Sequence, residues 1–348
     1  MAYTTINKST DYFNTLLWQG NGNNARALTG VGFQPDFTWI KDRTDTESHC
    51  LTDAVRGATK SLRSNDTNAE ATDTDALQSF NSDGFTVGNQ GQVNKSNGDY
   101  YVGWNWKANG QGSSNTDGSI NTTYTSVNTT AGFSISKYTG TGSNATVGHG
   151  LGAAPKMVII KKTSGADDWK VYHASVGATK SLVLQGNNAE TSDSTSFNNT
   201  APTTSVFSVG TSSATNTSGQ TYIAYCFAEK TGYSKFGSYV SNNNVDGGFV
   251  YTGFKPNWVM VKSIGSGGYN WMIFDSVRQP NNLNGVTLQA DVNSAEFDYA
   301  PNGYVDLLSN GFKLRSTSNG VNGSGATNYL YMAFGQSLVG SNNVPCTA

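Results

Sequence analysis

Charge is scarce in this chain of 348 residues: Asp, Glu, Lys and Arg make up only 13% of it, against roughly 25% in an ordinary domain. Its polarity comes from Asn, Ser, Thr and Gly. That excludes long exposed helices and coiled coils, which draw on Ala, Glu, Lys and Leu. A net charge of −2 with no basic cluster predicts no nucleic-acid or anionic-membrane partner. No apolar run approaches the ~20 residues that cross a bilayer, so no membrane insertion is expected. Residues 1–10 lack an apolar stretch, so no signal peptide is expected either. Seven prolines are too few for a polyproline or collagen-like rod. The three cysteines, Cys50, Cys226 and Cys346, are odd in number and share no framework, which predicts free thiols and synthesis in a reducing cytoplasm.

Aromatic residues are abundant, with 17 Tyr, 16 Phe and 7 Trp, enough to build cores. They recur in register, because the chain repeats itself three times. The block 32–41 (GFQPDFTWIK) returns at 152–161 (GAAPKMVIIK) and at 253–262 (GFKPNWVMVK). Residues 49–53, 169–173 and 271–275 align after it. The run 57–62 (GATKSL) is identical to 177–182. Then follow Asn68-Ala69-Glu70, Asn188-Ala189-Glu190 and Ser294-Ala295-Glu296, and strand-like runs led by Phe85, Phe207 and Phe312. Each repeat closes on a strand carrying a small residue between large ones: Gly103, Ala224 or Ala333. The organisation expected is an arm (1–10), three β units (11–108, 131–229, 232–335) and a tail (336–348). The Gly/Ser/Asn/Thr stretch 109–130 between the first two units is expected as a flexible linker or surface loop.

Short runs rich in β-branched and aromatic residues, punctuated by Gly and Asn, predict an all-β protein. The expectation is three tandem β-sandwiches of jelly-roll or lectin-like type, with a closed pseudo-threefold, propeller-like body as the alternative. The linker favours beads. Residues 157–160 and 258–261, apolar throughout, predict strands buried on both faces in mid-sheet. The small residue of the closing strand predicts close passage of a ring or backbone.

Chemistry is harder to find. His49, His149 and His173 have no ligand spacing, so neither a metal nor a cofactor is expected. Asp42, Asp45, Asp167 and Asp168 are the best oxygen donors for a cation, against the simpler reading of solvated loop acids. There is no GxSxG elbow and no repeated Cys/His pair, so the chain is not expected to be an enzyme. Glu70, Glu190 and Glu296 recur singly, where a glycosidase needs two carboxyls in one cleft, and read as structural. Asp53 with Arg56, and Asp275 with Arg278, read as turn-closing ion pairs; the second repeat has His173 and Val176 there. Exposed rings beside amides and carboxylates can bind sugars, whose C–H faces are apolar. Tyr269, Asn270, Asp167, Asp168 and Trp106 are the candidates, whereas Trp39, Trp104 and Trp258 are expected in the core.

The GFxP-x-[FW] block, the turn Asp53-Ala54-Val55-Arg56-Gly57, the run 82–88 (SDGFTVG) and the closing run 101–108 (YVGWNWKA) resemble a repeat family of marine, cyanophage-like bacteriophages. Its members are virion or tail-fibre proteins without assigned catalytic residues. The second and third repeats depart from the pattern, the second by Ala153-Ala154 and by the loss of Asp and Arg. The resemblance implies a virion protein with other virion chains as partners and assembly as a homo-oligomer, a trimer favoured. The function expected is a tail fibre, spike or surface protrusion contacting host-surface glycan. The alternatives are a purely structural decoration or shaft protein and a polysaccharide-degrading spike.

Overall fold

The computed structural model describes residues 3–265, 267–299, 303–325 and 327–340; Cys346 lies outside them. Among these residues the only helices are a 3-10 turn, Ser9–Asp11, and two single turns, α1 (Gly91–Asn94) and α2 (Ser213–Asn216). Everything else regular is strand, so the protein is all-β.

The strands of the first repeat are β1 (Phe13–Gln19), β2 (Arg26–Thr29), β3 (Phe37–Asp42), β4 (Cys50–Asp53), β5 (Lys60–Ser61), β6 (Ala71–Thr72), β7 (Leu77–Asn81), β8 (Gly84–Val87) and β9 (Tyr100–Trp106). The stretch 109–130 adds β10 (Tyr124–Asn128). The second repeat has β11 (Phe133–Thr139), β12 (Ala145–Gly148), β13 (Met157–Lys162), β14 (Lys170–His173), β15 (Lys180–Val183), β16 (Thr191–Ser192), β17 (Val206–Val209) and β18 (Thr221–Phe227). The third has β19 (Ser234–Val240), β20 (Phe249–Tyr251), β21 (Lys255–Ser263), β22 (Met272–Asp275), β23 (Val286–Gln289), β24 (Phe297–Asp298), β25 (Val305–Leu308), β26 (Gly311–Leu314) and β27 (Asn328–Gln336).

Strand order repeats with the sequence. The large sheets run β1-β9-β3-β4, β10-β11-β18-β13-β14-β15-β16 and β19-β27-β21-β22-β23-β24. A bridge between Leu51 and Leu62 extends the first towards β5 and β6. Small sheets β2-β8-β7, β12-β17 and β20-β26-β25 accompany them. No sheet of the described residues closes into a barrel.

The alternation of side chains along a strand explains why the central strands are apolar throughout. Ile40, Val158 with Ile160, and Val259 with Val261 point into the core of their own repeat. Phe37 with Trp39, Met157 with Ile159, and Trp258 with Met260 point the other way, into one cluster shared by all three repeats. Trp104, Trp106, Tyr225, Phe227 and Phe334 from the closing strands complete it. The repeats are therefore not beads on a linker: each large sheet is sandwiched between a private core and a common one. Full burial of each such ring removes about 1.5–3 kcal/mol of apolar exposure.

The stretch 109–130 is built into this body. β10 pairs antiparallel with β11, Ile120 is buried in the second repeat's core, and the Asp36 carboxylate accepts the Ala108 and Gly110 N–H groups (2.6 and 3.0 Å). Its polar composition suits an added edge strand, which takes its hydrogen bonds from its neighbour rather than from an apolar face.

The close passage expected at the closing strand is observed, since a Cβ on Gly103 would lie 3.1 Å from the Trp18 ring. Pro256, unlike Pro155, lies inside its strand, at a register shift between Pro256 and Trp258, where a missing N–H is tolerated. The lysine ending each 32–41-type block is fully buried. Lys41, Lys161 and Lys262 each donate to the carbonyl of the next residue, at 2.5, 2.7 and 2.7 Å. Burial pushes all three down to about 8.

Candidate functional site

The recurring glutamates sit where one repeat meets the next. Glu70 N–H donates to Thr163 O (3.0 Å), Glu190 N–H to Ile264 O (3.2 Å) and Glu296 N–H to Arg43 O (2.8 Å). The three bonds run from first to second, second to third and third back to first. Their carboxylates are engaged as well. Glu70 meets Arg56 (3.3 Å), Glu190 meets Lys180, and Glu296 takes both Arg43 (2.7 Å) and Arg278 (2.8 Å). A second ring of bonds closes the same seams: Trp169 Nε1 donates to Arg63 O (2.9 Å) and Trp271 Nε1 to Val183 O (3.0 Å). In the first repeat His49 stands in that place. Its Nδ1 accepts Trp39 Nε1 (2.8 Å), which makes Nε2 the donor to Gln289 O (2.9 Å). Burial holds this neutral imidazole down at about 3.

The Asp-x-x-Arg pairs do more than close turns. The Asp53 carboxylate accepts Arg56 N–H (2.8 Å) and Nε, and also Tyr225 Oη (2.7 Å) from the second repeat. Asp275 accepts the Arg278 side chain and Trp104 Nε1 (3.1 Å) from the first repeat. Both side chains of each pair are inaccessible to solvent. Burial draws Arg56 down, but Asp53, then Tyr225 and Glu70, outweigh it and hold the guanidinium above its ordinary value. The residue aligned with Tyr225 and Trp104 in the third repeat is Phe334, which has no donor. The second repeat correspondingly has His173 and Val176, with His173 Nε2 3.3 Å from Tyr331 O. Ion pair and donor are retained or lost together, as the burial of a charge requires.

The ligand candidates do not come together. Trp106 is 1% exposed and packed among Phe13, Phe37, Trp258 and Phe334 in the common core, so it offers no face to a sugar. Period-two alternation places it on one face with Trp104 but does not say that another repeat covers that face. Asp167 and Asp168 lie half-buried at the seam with the first repeat, where Asp167 N–H donates to Thr67 O (2.9 Å) and Asp168 accepts Gln185 Nε2 (2.6 Å). Tyr269 and Asn270, at the aligned positions of the third repeat, lie half-buried beside a different seam, where Gly268 N–H donates to Asn187 O (2.9 Å). Asp42 is buried and caps its own loop through Thr44 and Asp45 N–H, while Asp45 pairs with Lys95 at 2.7 Å.

The surface has a feature that sequence reasoning missed. Among the described residues the exposed rings are Tyr3, Tyr100, Phe249, Tyr251, Phe297 and Tyr299. Four of the six belong to the third repeat and none to the second. Register aligns Phe249 and Tyr251 with Ala27 and Thr29 and with Thr146 and Gly148, through the inward Leu28, Val147 and Val250. It likewise aligns Phe297 with Ala71 and Thr191, and Tyr299 with Asp73 and Asp193. The signal was an aromatic at an outward position that is small or polar in the other two copies.

Beside Tyr299 opens a cleft of about 760 Å³ lined by Val245, Asp246, Leu283, Arg315, Ser316 and Thr317. Arg315 lines it where the other two repeats have glycine. A Cβ on the aligned Gly88 or Gly210 would collide with the carbonyl of Asp75 or Thr195. In the third repeat Arg315 N–H donates to Tyr304 O (2.8 Å), and its side chain lines the cleft. Tyr299 stacks on Tyr304 with centroids 4.8 Å apart. Asp246 Oδ1 bridges Lys313 (2.8 Å) and Arg315 (3.4 Å), and Asp306 holds Arg315 Nε (3.4 Å). A supported ring, a guanidinium, a carboxylate and a free hydroxyl thus converge on one concavity, the composition of a small polar-ligand site.

An all-β body of three repeats closed on a common aromatic core, with one aromatic-edged cleft, is the class these features define. The chain belongs to the family described as a domain of unknown function (DUF7483), whose model matches residues 8–337 and so spans all three repeats. No curated protein matches it in sequence.

Proposed function

We propose that this is a bacteriophage virion protein, a surface-exposed fibre, spike or protrusion component, that binds carbohydrate in the cleft of its third repeat. We read the body as three tandem β-sandwich units whose shared core makes them one rigid mount. The observation that carries the reading is the Tyr299 cleft. A sugar's apolar face stacks on the ring, while Asp246, Arg315 and Thr317 exchange hydrogen bonds with its hydroxyls. The cleft's charges pair off, Lys313 and Arg315 against Asp246 and Asp306, which favours a neutral saccharide.

Hydrolysis is not part of the proposal. A glycosidase acid needs a carboxyl pushed up, whereas the hydrogen bond and charge of Lys313 hold Asp246 below its ordinary value. The test is a glycan array, followed by saturation-transfer NMR on hits, with the wild-type chain and Tyr299→Asp, which installs the residue of the other two repeats. Binding by the wild type that is lost in the variant, with an unchanged melting temperature, is expected. No bound glycan, or equal binding by both proteins, overturns the reading.

A further inference from the structure

We propose that the open edge of β20 is a docking site for an extended segment of a partner chain, of small–hydroxyl–aliphatic pattern, seated parallel to the strand. The molecule already contains this complex once, at the aligned edge of the second repeat. There Gly118-Ser119-Ile120 lies along β12: Ile120 N–H donates to Thr146 O, Ser119 N–H to Thr146 Oγ1, and Thr146 N–H to Ser119 Oγ, each at 2.9 Å. Ile120 bridges Val147 in the parallel sense and buries its side chain in the second repeat's core.

β20 presents the same backbone groups, without the Thr146 hydroxyl, and no second described strand pairs with them. Leu314 N–H donates to Gly248 O and Thr252 N–H to Asn310 O, both at 3.0 Å, so Gly248, Val250 and Thr252 face β26. The N–H and C=O of Phe249 and Tyr251 then face outwards. Phe249 takes the place of Thr146, whose carbonyl receives Ile120. No described strand or bridge lies on that side.

The rings of Phe249 and Tyr251, 46% and 58% accessible, stand on the outer face of β20, with Phe249 leaning over Gly311 of β26, so they leave the edge groups themselves open to a seated strand. The first repeat's edge is guarded differently. β2 has Ala27 and Thr29 in their place and carries Arg26, and charge on an edge deters strand addition.

The probe is the chain's own occupant supplied in trans, a peptide of residues 115–122 (NTDGSINT), titrated into the isotope-labelled full chain and followed by amide NMR. Saturable shifts at Phe249–Tyr251 are expected. A peptide N-methylated at the position of Ile120, which removes the donor without touching the protein, is expected to bind about tenfold more weakly. Tyr251→Pro, which removes an outward N–H and leaves the β26 ladder intact, is expected to lose the shifts. Shifts absent from β20 at millimolar peptide, or equal binding of the N-methylated peptide, overturn the proposal. The edge shares no residue with the Tyr299 cleft, so glycan results leave this outcome unaffected.

Discussion

The inner and outer faces of the three repeats have diverged under different constraints. Inwards, each position answers to a neighbouring copy. Tyr225 and Trp104 supply donors and face buried Asp–Arg pairs, whereas Phe334 supplies none and the second repeat has His173 and Val176 in place of such a pair. Outwards, a position answers to its own repeat and to solvent rather than to a neighbouring copy, and there the third repeat has exchanged Ala, Thr and Asp for Phe297 and Tyr299 and glycine for Arg315. The difference separates residues that hold the body together from residues available for recognition, which alignment of the repeats alone does not do.

Breaking the inner face has the largest expected effect. Arg56→Ala leaves the Asp53 carboxylate buried against a void and is expected to cost about 3–5 kcal/mol by denaturant unfolding. The triple change Asp53→His, Arg56→Val and Tyr225→Phe rewrites the first seam as the donor-free one and is expected to recover most of that loss. If the triple variant is no more stable than Arg56→Ala, the coupling between ion pair and donor is wrong. Trp169→Phe orphans the Arg63 carbonyl at a seam while largely keeping the ring, for an expected loss of about 1–3 kcal/mol.

The buried lysines set a pH dependence. Lys41, Lys161 and Lys262 titrate near 8 when folded and at their ordinary 10.5 when unfolded. The unfolded chain therefore binds more protons between these values, and stability rises with pH there. The rise is readable between about pH 8 and 9. Above that, buried thiols such as Cys50, pushed up to about 11, and buried phenols such as Tyr225 act in the opposite sense. Lys262→Met is expected to flatten the slope of melting temperature against pH in this window. The smallest effect on stability belongs to the outer face: Tyr299→Asp is expected to shift unfolding by no more than about 0.5 kcal/mol, while removing the sugar platform.

Much of the architecture was legible. Blocks recurring in one order revealed the repeats, and strands apolar at every position, such as 157–160, announced burial on both faces. What covers the second face was not legible, because alternation assigns Trp104 and Trp106 to a common side without naming a partner. The polar stretch 109–130 misled for a related reason, since an edge strand needs hydrogen bonds more than apolar residues and composition reports only the latter. The cleft was hidden in a departure from the repeat. Arg315 matters because Gly88 and Gly210 stand in its place, and a search for what recurs passes over it.

The cyclic seams have a consequence for chain order. Ser9 N–H donates to Gln336 Oε1 at 2.6 Å, and Gln336 Nε2 reaches Asn7 O at 3.4 Å, so the start of the first repeat and the end of the third are already neighbours. A circular permutant with a short link across that junction and new ends at Lys230–Gly232 keeps every seam closed, because the order in which the ribosome emits the three copies is not what holds them together.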